Sequence, residues 1–189
     1  IGDTAKVLSR YVDAIMIRTT DHARMLELAE HATVPVINAL TDMTHPCQIM
    51  ADIMTFEEHR GSTKGKTFAW TGDGNNVLHS FVEGSARFGY TMKMAVPMGS
   101  EPDDKILNWA RDNGGDILLG HDPEAIVDGV DLVVTDCWVS MNQEHRARGH
   151  NIFQPYQVNK QLMARADKDA LFMHCLPAHR GEEVTDEVI

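Results

Sequence analysis

Three short apolar runs are each followed by residues whose side chains can do chemistry: a thiol beside a histidine, a carboxylate with a second thiol, and a pair of amides. The runs and the residues after them are Ala170 to His174 with Cys175-Leu176-Pro177, Asp131 to Thr135 with Asp136-Cys137, and Thr67 to Thr71 with Gly72-Asp73-Gly74-Asn75-Asn76. Such runs predict buried strands, and ligands bind at the carboxyl ends of parallel strands. We therefore expect these side chains to face one crevice.

A second group of polar residues suits an anion. Arg18 ends the apolar run 13–17, and His45-Pro46 precedes a predicted helix with Gln48 in its first turn. A helix start offers free N–H groups and partial positive charge, and arginine pairs bidentately with phosphate. The simpler interpretation is a helix capped by Thr44 with solvent-facing side chains.

Other interpretations of these motifs remain open from the residues alone. Gly72-Asp73-Gly74 before a helix suggests dinucleotide binding, but Val77 stands where a third glycine belongs and the next strand ends without an acidic residue. Cys175 could be an inert buried thiol, or a zinc ligand with His174 and His179. Only Cys137 remains as a further thiolate, and Pro177 breaks the spacing that a paired-ligand site uses.

Strands and helices alternate along the chain, which predicts an α/β fold with parallel sheets joined by right-handed crossovers. The segment Ser140 to Gln154 is long and polar, and a connection of this length is usually a functional lid or disordered. Further strands are predicted at 13–17, 34–39, 90–96 and 116–119, and helices at 21–31, from Pro46 onward, at 75–88 and at 103–113.

Composition limits the function further. The chain has 189 residues and a net charge of −11, which argues against a nucleic-acid partner. No apolar run approaches the roughly 20 residues of a membrane helix. Three cysteines, an odd number far apart in sequence, fit a reducing compartment. We expect a cytoplasmic protein, or one of an organelle matrix such as the mitochondrial matrix.

Together, four motifs resemble the aspartate/ornithine carbamoyltransferase family, and within it the enzymes that use ornithine. The motifs are His45-Pro46-Cys47-Gln48, Gly72-Asp73-Gly74-Asn75-Asn76, Asp136-Cys137-Trp138-Val139-Ser140-Met141 and His174-Cys175-Leu176-Pro177. The resemblance covers essentially the whole chain. It implies two Rossmann-like lobes, a first and incomplete one at residues 1–55 that binds carbamoyl phosphate and a second at 56–189 that binds ornithine.

The resemblance also implies roles for individual residues. Catalytic roles fall to Arg18, His45, Asp136 and Cys175. Contacts with carbamoyl phosphate fall to Arg18, His45, Gln48, Cys175 and Leu176, and contacts with ornithine to Asn75, Asn76, Asp136, Ser140 and Met141. No cofactor and no metal is implied. Whether Asp136 or a Cys175 thiolate takes the proton of the amine stays open.

The family's phosphate-binding Ser-Thr-Arg-Thr quartet and its terminal helix are missing, so we expect a fragment that is inactive alone. The resemblance implies a homotrimer, or a multiple of trimers, for the intact protein. Asn142 stands where the family has a glycine. The motifs leave two alternatives: transfer to another amine such as putrescine, or a non-catalytic paralogue that keeps the fold. Arginine biosynthesis and arginine breakdown are not distinguished.

Overall fold

Strands and helices alternate along the part of the chain that the structure describes. The computed structural model covers residues 1–138 and 152–189. Helices are α1 (Gly2–Leu8), α2 (His22–His31), α3 (Pro46–Arg60), α4 (Asn76–Phe88), α5 (Asp104–Asp112), α6 (Pro123–Val127) and α7 (Lys160–Met163), and a 3-10 turn spans Gln154–Tyr156. Strands are β1 (Ile15–Arg18), β2 (Val36–Leu40), β3 (Thr67–Thr71), β4 (Thr91–Ala95), β5 (Asp116–Gly120), β6 (Leu132–Thr135) and β7 (Leu171–His174).

The strands form two parallel sheets. β1 pairs with β2 in a two-stranded sheet, and the second sheet has the order β5-β4-β3-β6-β7. The chain moves outward from β3 to β5 and then returns to the other side of β3. The strand order therefore reverses between β3 and β6, which is where open α/β sheets bind ligands. The predicted α/β fold with parallel sheets is confirmed.

Side chains of the five-stranded sheet alternate in direction, so apolar residues lie on both of its faces. Each face is covered by its own layer of helices. Phe68, Trp70 and Leu132 pack with α3, α4 and α5 on one face. Ala69 and Val133 pack on the other face with α6, α7 and the segment around Val184. The smaller sheet has its own cluster, made by Ala5, Ile15 and Leu28.

Helix α3 packs against elements of both sheets. It contacts β2 of the first sheet and α4 beside the second. Its Phe56 lies with its ring centroid 4.8 Å from that of Phe68, which in turn stacks on Tyr90 at 4.3 Å. The predicted boundary at residues 55–56 falls inside this continuous helix, and the division into lobes stays a prediction.

Three short helices were not predicted. α1 buries only Ala5, and α6 and α7 are five and four residues long, too short for a periodic pattern. Asp122-Pro123 was a usable signal for α6, because Asp122 accepts from the backbone N–H groups of Glu124 and Ala125. Among the helices of the described residues, none is both long and apolar enough to cross a membrane.

Gly74, in the loop after β3, lies in close contact with the backbone of residues 100–102. Its backbone N–H donates to the carbonyl of Ser100 at 2.8 Å, and a Cβ at this position would lie 2.2 Å from that oxygen and 2.6 Å from backbone atoms of Glu101 and Pro102. Backbone cannot yield as a flexible side chain can. We expect Gly74→Ala to lower the free energy of unfolding by about 2 kcal/mol or more, measured by thermal unfolding.

Gly120→Ala is the matched control. Its new Cβ would meet the end of the Ile126 side chain at 3.3 Å, which can adjust. The unfolding midpoint of this variant should change much less. Equal losses in the two variants would contradict the proposed rigidity of the loop.

Candidate active site

Polar residues that follow three neighbouring strands contact one another at the carboxyl edge of the sheet. Asn75 follows β3, Asp136 follows β6 and Cys175 follows β7. The Asn75 Nδ2 donates to Asp136 Oδ2 at 2.7 Å, and the Cys175 thiol donates to Asp136 Oδ1 at 3.0 Å. The predicted convergence of these strand ends is confirmed.

The Asp136 carboxylate is the centre of this arrangement. It is 7% exposed. Besides Asn75 and Cys175, it accepts from the backbone N–H of Cys137 at 2.7 Å and from the Cys137 thiol at 3.3 Å. Four donors therefore face the two carboxylate oxygens, which is how a protein offsets the desolvation of an anion.

Both cysteines beside Asp136 are thiols, not thiolates. Burial, and then the charge of Asp136 and the hydrogen bond to it, raise the pKa of Cys175 and the pKa of Cys137 far above the ordinary thiol value. A thiolate is the reactive form of cysteine. In this arrangement the Cys175 sulfur acts as a donor to Asp136, and a Cys175 thiolate facing an amine stays a prediction from the sequence.

The two asparagines after Gly74 make different hydrogen bonds. Asn75 is the N-cap of α4, and its Oδ1 accepts from the backbone N–H groups of Val77 and Leu78. Its Nδ2 is then left to hold Asp136. Asn76 donates from Nδ2 to the carbonyl of Thr41 at 2.7 Å, so its amide bridges to the loop before α3.

Two further residues of α4 hold the same loop, which covers residues 41–45. His79 Nδ1 lies 2.8 Å from the carbonyl of Met43, and the Ser80 hydroxyl accepts from the backbone N–H of His45 at 2.7 Å. Neither residue was predicted from the sequence as part of the site. The signal was their place in the first two turns of α4, on the side that also carries Asn76.

The histidine in this contact has one defined tautomer. His79 Nε2 accepts from the backbone N–H of Asp103 at 3.1 Å, so the proton sits on Nδ1 and points at Met43. Burial lowers the pKa of His79, against the opposing effect of the Met43 hydrogen bond. A neutral imidazole thus ties the loop before α3 to the loop before α5.

Arg18 and His45, both predicted to bind an anion, lie close enough for their charges to interact. Arg18 is the last residue of β1, and His45 is the N-cap of α3 without a side-chain capping bond. Burial and then the positive charge of Arg18 lower the pKa of His45, while the negative charge of Asp136 raises it. His45 therefore lies near both Arg18 and Asp136.

Gln48 is oriented by an acid one turn along α3. Its Nε2 donates to Asp52 Oδ1 at 3.0 Å. An ionised carboxylate only accepts, so the amide nitrogen must face it and Oε1 remains as the acceptor end. Asp52 is 9% exposed and was not predicted as part of the site.

Leu176, predicted at the carbamoyl phosphate end, follows Cys175 directly. Its backbone is left-handed with φ 58°, and its side chain is largely exposed. Ser140 and Met141, predicted for ornithine, and most of the predicted lid at 140–154 lie outside the described residues.

Two groups of potential metal ligands occur in the described part of the chain. They are Asp136, His174 and Cys175, and His179, Glu182 and Glu183. Both ring nitrogens of His174 are already in hydrogen bonds, Nε2 with Glu183 and Nδ1 with the backbone N–H of Leu176. This ring has no free lone pair to offer a metal.

Two family models match this chain. Residues 1–58 match the carbamoyl-P binding domain of aspartate/ornithine carbamoyltransferase, and residues 64–189 match its Asp/Orn binding domain. The chain belongs to the aspartate/ornithine carbamoyltransferase family.

Individual relatives in this family are similar over the whole chain. Ornithine carbamoyltransferase of Agrobacterium fabrum is 84% identical over all 189 residues, and that of Rhizobium meliloti 80%. The chain spans 62% of the length of each. The solved ornithine carbamoyltransferase of Pyrococcus furiosus has a TM-score of 0.92 and 52% identity, covering 99% of this chain and 61% of that one.

A pH prediction follows from the acid that orients Gln48 in this member of the family. Burial raises the pKa of Asp52 from 3.8 to about 6, although the Gln48 hydrogen bond opposes this. The folded state therefore binds more protons than the unfolded state between these values. Stability falls as the pH rises through that window, by on the order of 3 kcal/mol.

Asp52→Asn removes this cost while keeping an acceptor for Gln48. We expect the variant to raise the thermal unfolding midpoint at pH 8 and to change it little at pH 4. Asp112→Asn, at the exposed end of α5, is the control and should give a difference that does not vary with pH. A constant gain for Asp52→Asn at both pH values would contradict the assignment.

Proposed function

We propose that the full-length protein is an ornithine carbamoyltransferase. It transfers the carbamoyl group of carbamoyl phosphate to the δ-amine of L-ornithine, giving L-citrulline and phosphate without a cofactor. The observation that carries the proposal is the junction of Asn75, Asp136 and Cys175, with His45 close enough to sense the Asp136 charge. The 84% identity with a protein of that name supports it.

We place the δ-amine of ornithine beside Asp136 because of the charge of this carboxylate. The δ-amine is an ammonium at neutral pH, and a buried carboxylate is the group that attracts it. Loss of one proton frees the lone pair, which forms a C–N bond to the carbonyl carbon. Asn75, Asn76, Ser140 and Met141 are the proposed contacts for the rest of ornithine. Because Cys175 is a thiol, we assign proton acceptance to Asp136 or to the departing phosphate.

We place carbamoyl phosphate beside the hydrogen-bond donors of the proposed first lobe. Arg18 and a neutral His45 donate to the carbonyl oxygen and stabilise the negative charge that develops on it. The Gln48 Oε1 accepts from the carbamoyl amide, and the C–O bond to phosphate breaks as the C–N bond forms. Leu176 and Cys175 complete the contacts. Holding both substrates in line supplies much of the rate enhancement.

The assembly and location are part of the same proposal. We assign residues 1–55 to the lobe for carbamoyl phosphate and 56–189 to the lobe for ornithine. The intact protein forms homotrimers or multiples of trimers and works in the cytoplasm. Sedimentation of the full-length protein tests the assembly, and a stable monomer would contradict it.

Citrulline formation by the full-length protein tests the reaction. Titration calorimetry with ornithine, with and without carbamoyl phosphate, should show tighter binding when carbamoyl phosphate is present, followed by phosphate release. Putrescine is the competing substrate, because it has the amine but lacks the α-amino acid group. Equal rates with putrescine, or no citrulline, would overturn the proposal.

Replacing Cys175 tests the amine pocket. Cys175→Ala removes a donor to Asp136, so we expect kcat/KM for ornithine to fall at least about tenfold, or about 1.4 kcal/mol. The KM for carbamoyl phosphate should change much less. Cys175→Ser keeps a donor and should retain more activity, as steady-state kinetics can show.

Cys47→Ala is the matched control. The Cys47 thiol donates to the carbonyl of Asn38 at 3.3 Å and makes no contact with Asp136. Its kinetics should stay close to those of the unsubstituted protein. Equal losses for both substrates in Cys175→Ala would count against the role of Cys175.

A further inference from the structure

A buried acid and histidine lie directly beneath the turn after β7. His174 ends β7, and Glu183 lies nine residues further along the chain. The His174 Nε2 is 3.1 Å from Glu183 Oε1, and the two side chains are 2% and 0% exposed. Glu183 Oε1 also accepts from the backbone N–H of His179 at 2.5 Å. Neither side chain is among the residues that we assign to substrate binding.

The hydrogen bonds define the protonation of the pair. Burial acts to raise the pKa of Glu183, but the hydrogen bonds from His174 and from backbone N–H groups outweigh it and lower the pKa. An ionised carboxylate only accepts, so the His174 proton lies on Nε2. Nδ1 then carries a lone pair, and it accepts from the backbone N–H of Leu176 at 2.8 Å.

The accepted hydrogen bond is at an unfavourable backbone position. Among the described residues, Leu176 is the non-glycine residue with positive φ, at 58°. A left-handed leucine is sterically unfavourable and persists only where its surroundings fix it. The lone pair of His174 Nδ1 is the group that fixes it, because it receives the N–H of that residue.

The fixed turn carries a residue of the site. Cys175 lies between His174 and Leu176, and its thiol reaches Asp136. The backbone at the far end of the pair is also anchored, since the carbonyl of Glu183 accepts from the backbone N–H of Val158 at 2.8 Å. A chain of hydrogen bonds thus runs from the backbone near Val158 to the Cys175–Leu176 peptide.

We propose that Glu183 and His174 are positioning residues for carbamoyl transfer: the acid fixes the tautomer of the histidine, whose Nδ1 holds the turn that presents Cys175 and Leu176 to the substrates. The inference rests on the proposed function. An apolar pair would fill the same space with less desolvation cost, but it offers no acceptor for the Leu176 N–H.

Two substitutions of His174 separate positioning from simple packing. His174→Ala removes the acceptor for the Leu176 N–H. His174→Asn restores one, because an asparagine Oδ1 accepts from the backbone N–H two residues on. Both variants lose the bond to Glu183 and should be similarly destabilised. We expect kcat to fall about 100-fold in His174→Ala and within about tenfold in His174→Asn.

A second pair tests the acid. Glu183→Gln keeps an oxygen that accepts from His174 Nε2, whereas Glu183→Leu leaves that N–H unpaired and the tautomer free. Turnover should be close to normal in the first and reduced like His174→Ala in the second. This pair decides the matter if His174→Ala does not fold.

A readout that needs no turnover keeps the inference separate from the proposed function. Alkylation of Cys175 by iodoacetamide, followed by peptide mass spectrometry and normalised to Cys47, reports whether the thiol still faces Asp136. The rate should rise at least about tenfold in His174→Ala and stay near the original in His174→Asn. Equal kinetics and equal alkylation in the two variants would overturn the inference, even if citrulline forms. Absence of citrulline with the expected alkylation pattern would overturn the proposed function alone.

Discussion

The buried Asp136 carboxylate is the constraint on which the rest of the site depends. An anion that is 7% exposed needs donors, and these come from three strand ends and the backbone of Cys137. Only a sheet that places β3, β6 and β7 side by side can supply them. The topology and the electrostatics therefore fix each other: the strand order brings the donors together, and the carboxylate needs that strand order.

Hydrogen bonds from α4 also connect the five-stranded sheet with the loop that follows β2. The loop 41–45, which carries His45, is held by side chains of α4, whose N-cap is Asn75. One helix terminus thus holds the Asp136 carboxylate through its cap and the His45 backbone through Ser80. Two hydrogen bonds, joined by the start of α4, therefore link His45 to Asp136. Burial lowers the pKa of His45, and the charge of the nearby Asp136 acts to raise it.

Local signals in the sequence were enough for the regular elements but not for their contacts. β3 has its predicted bounds, and α4 ends at Gly89, which has the left-handed conformation expected of a C-cap. The convergence at Asp136 was predictable, because parallel strands share an edge. The Asn76 bond to Thr41 and the Gly74 contact with residues 100–102 were not, since they join segments 35 and about 26 residues apart. Glu183 gave no signal at all: a glutamate in a polar stretch is ordinarily on the surface.

The choice of sulfur beside Asp136 has a physical consequence for the proposed reaction. Before substrate arrives, the carboxylate must be satisfied, yet an ammonium must then be able to take over as its partner. Thiols are weak donors, so their contacts with Asp136 are given up at less cost than a hydroxyl or guanidinium contact would be. Asn75 stays bound through its second role as the cap of α4. Oδ2 keeps the Asn75 amide, and Oδ1 keeps the backbone N–H of Cys137 but has two replaceable thiols. Oδ1 is therefore the side of Asp136 on which an incoming amine competes best.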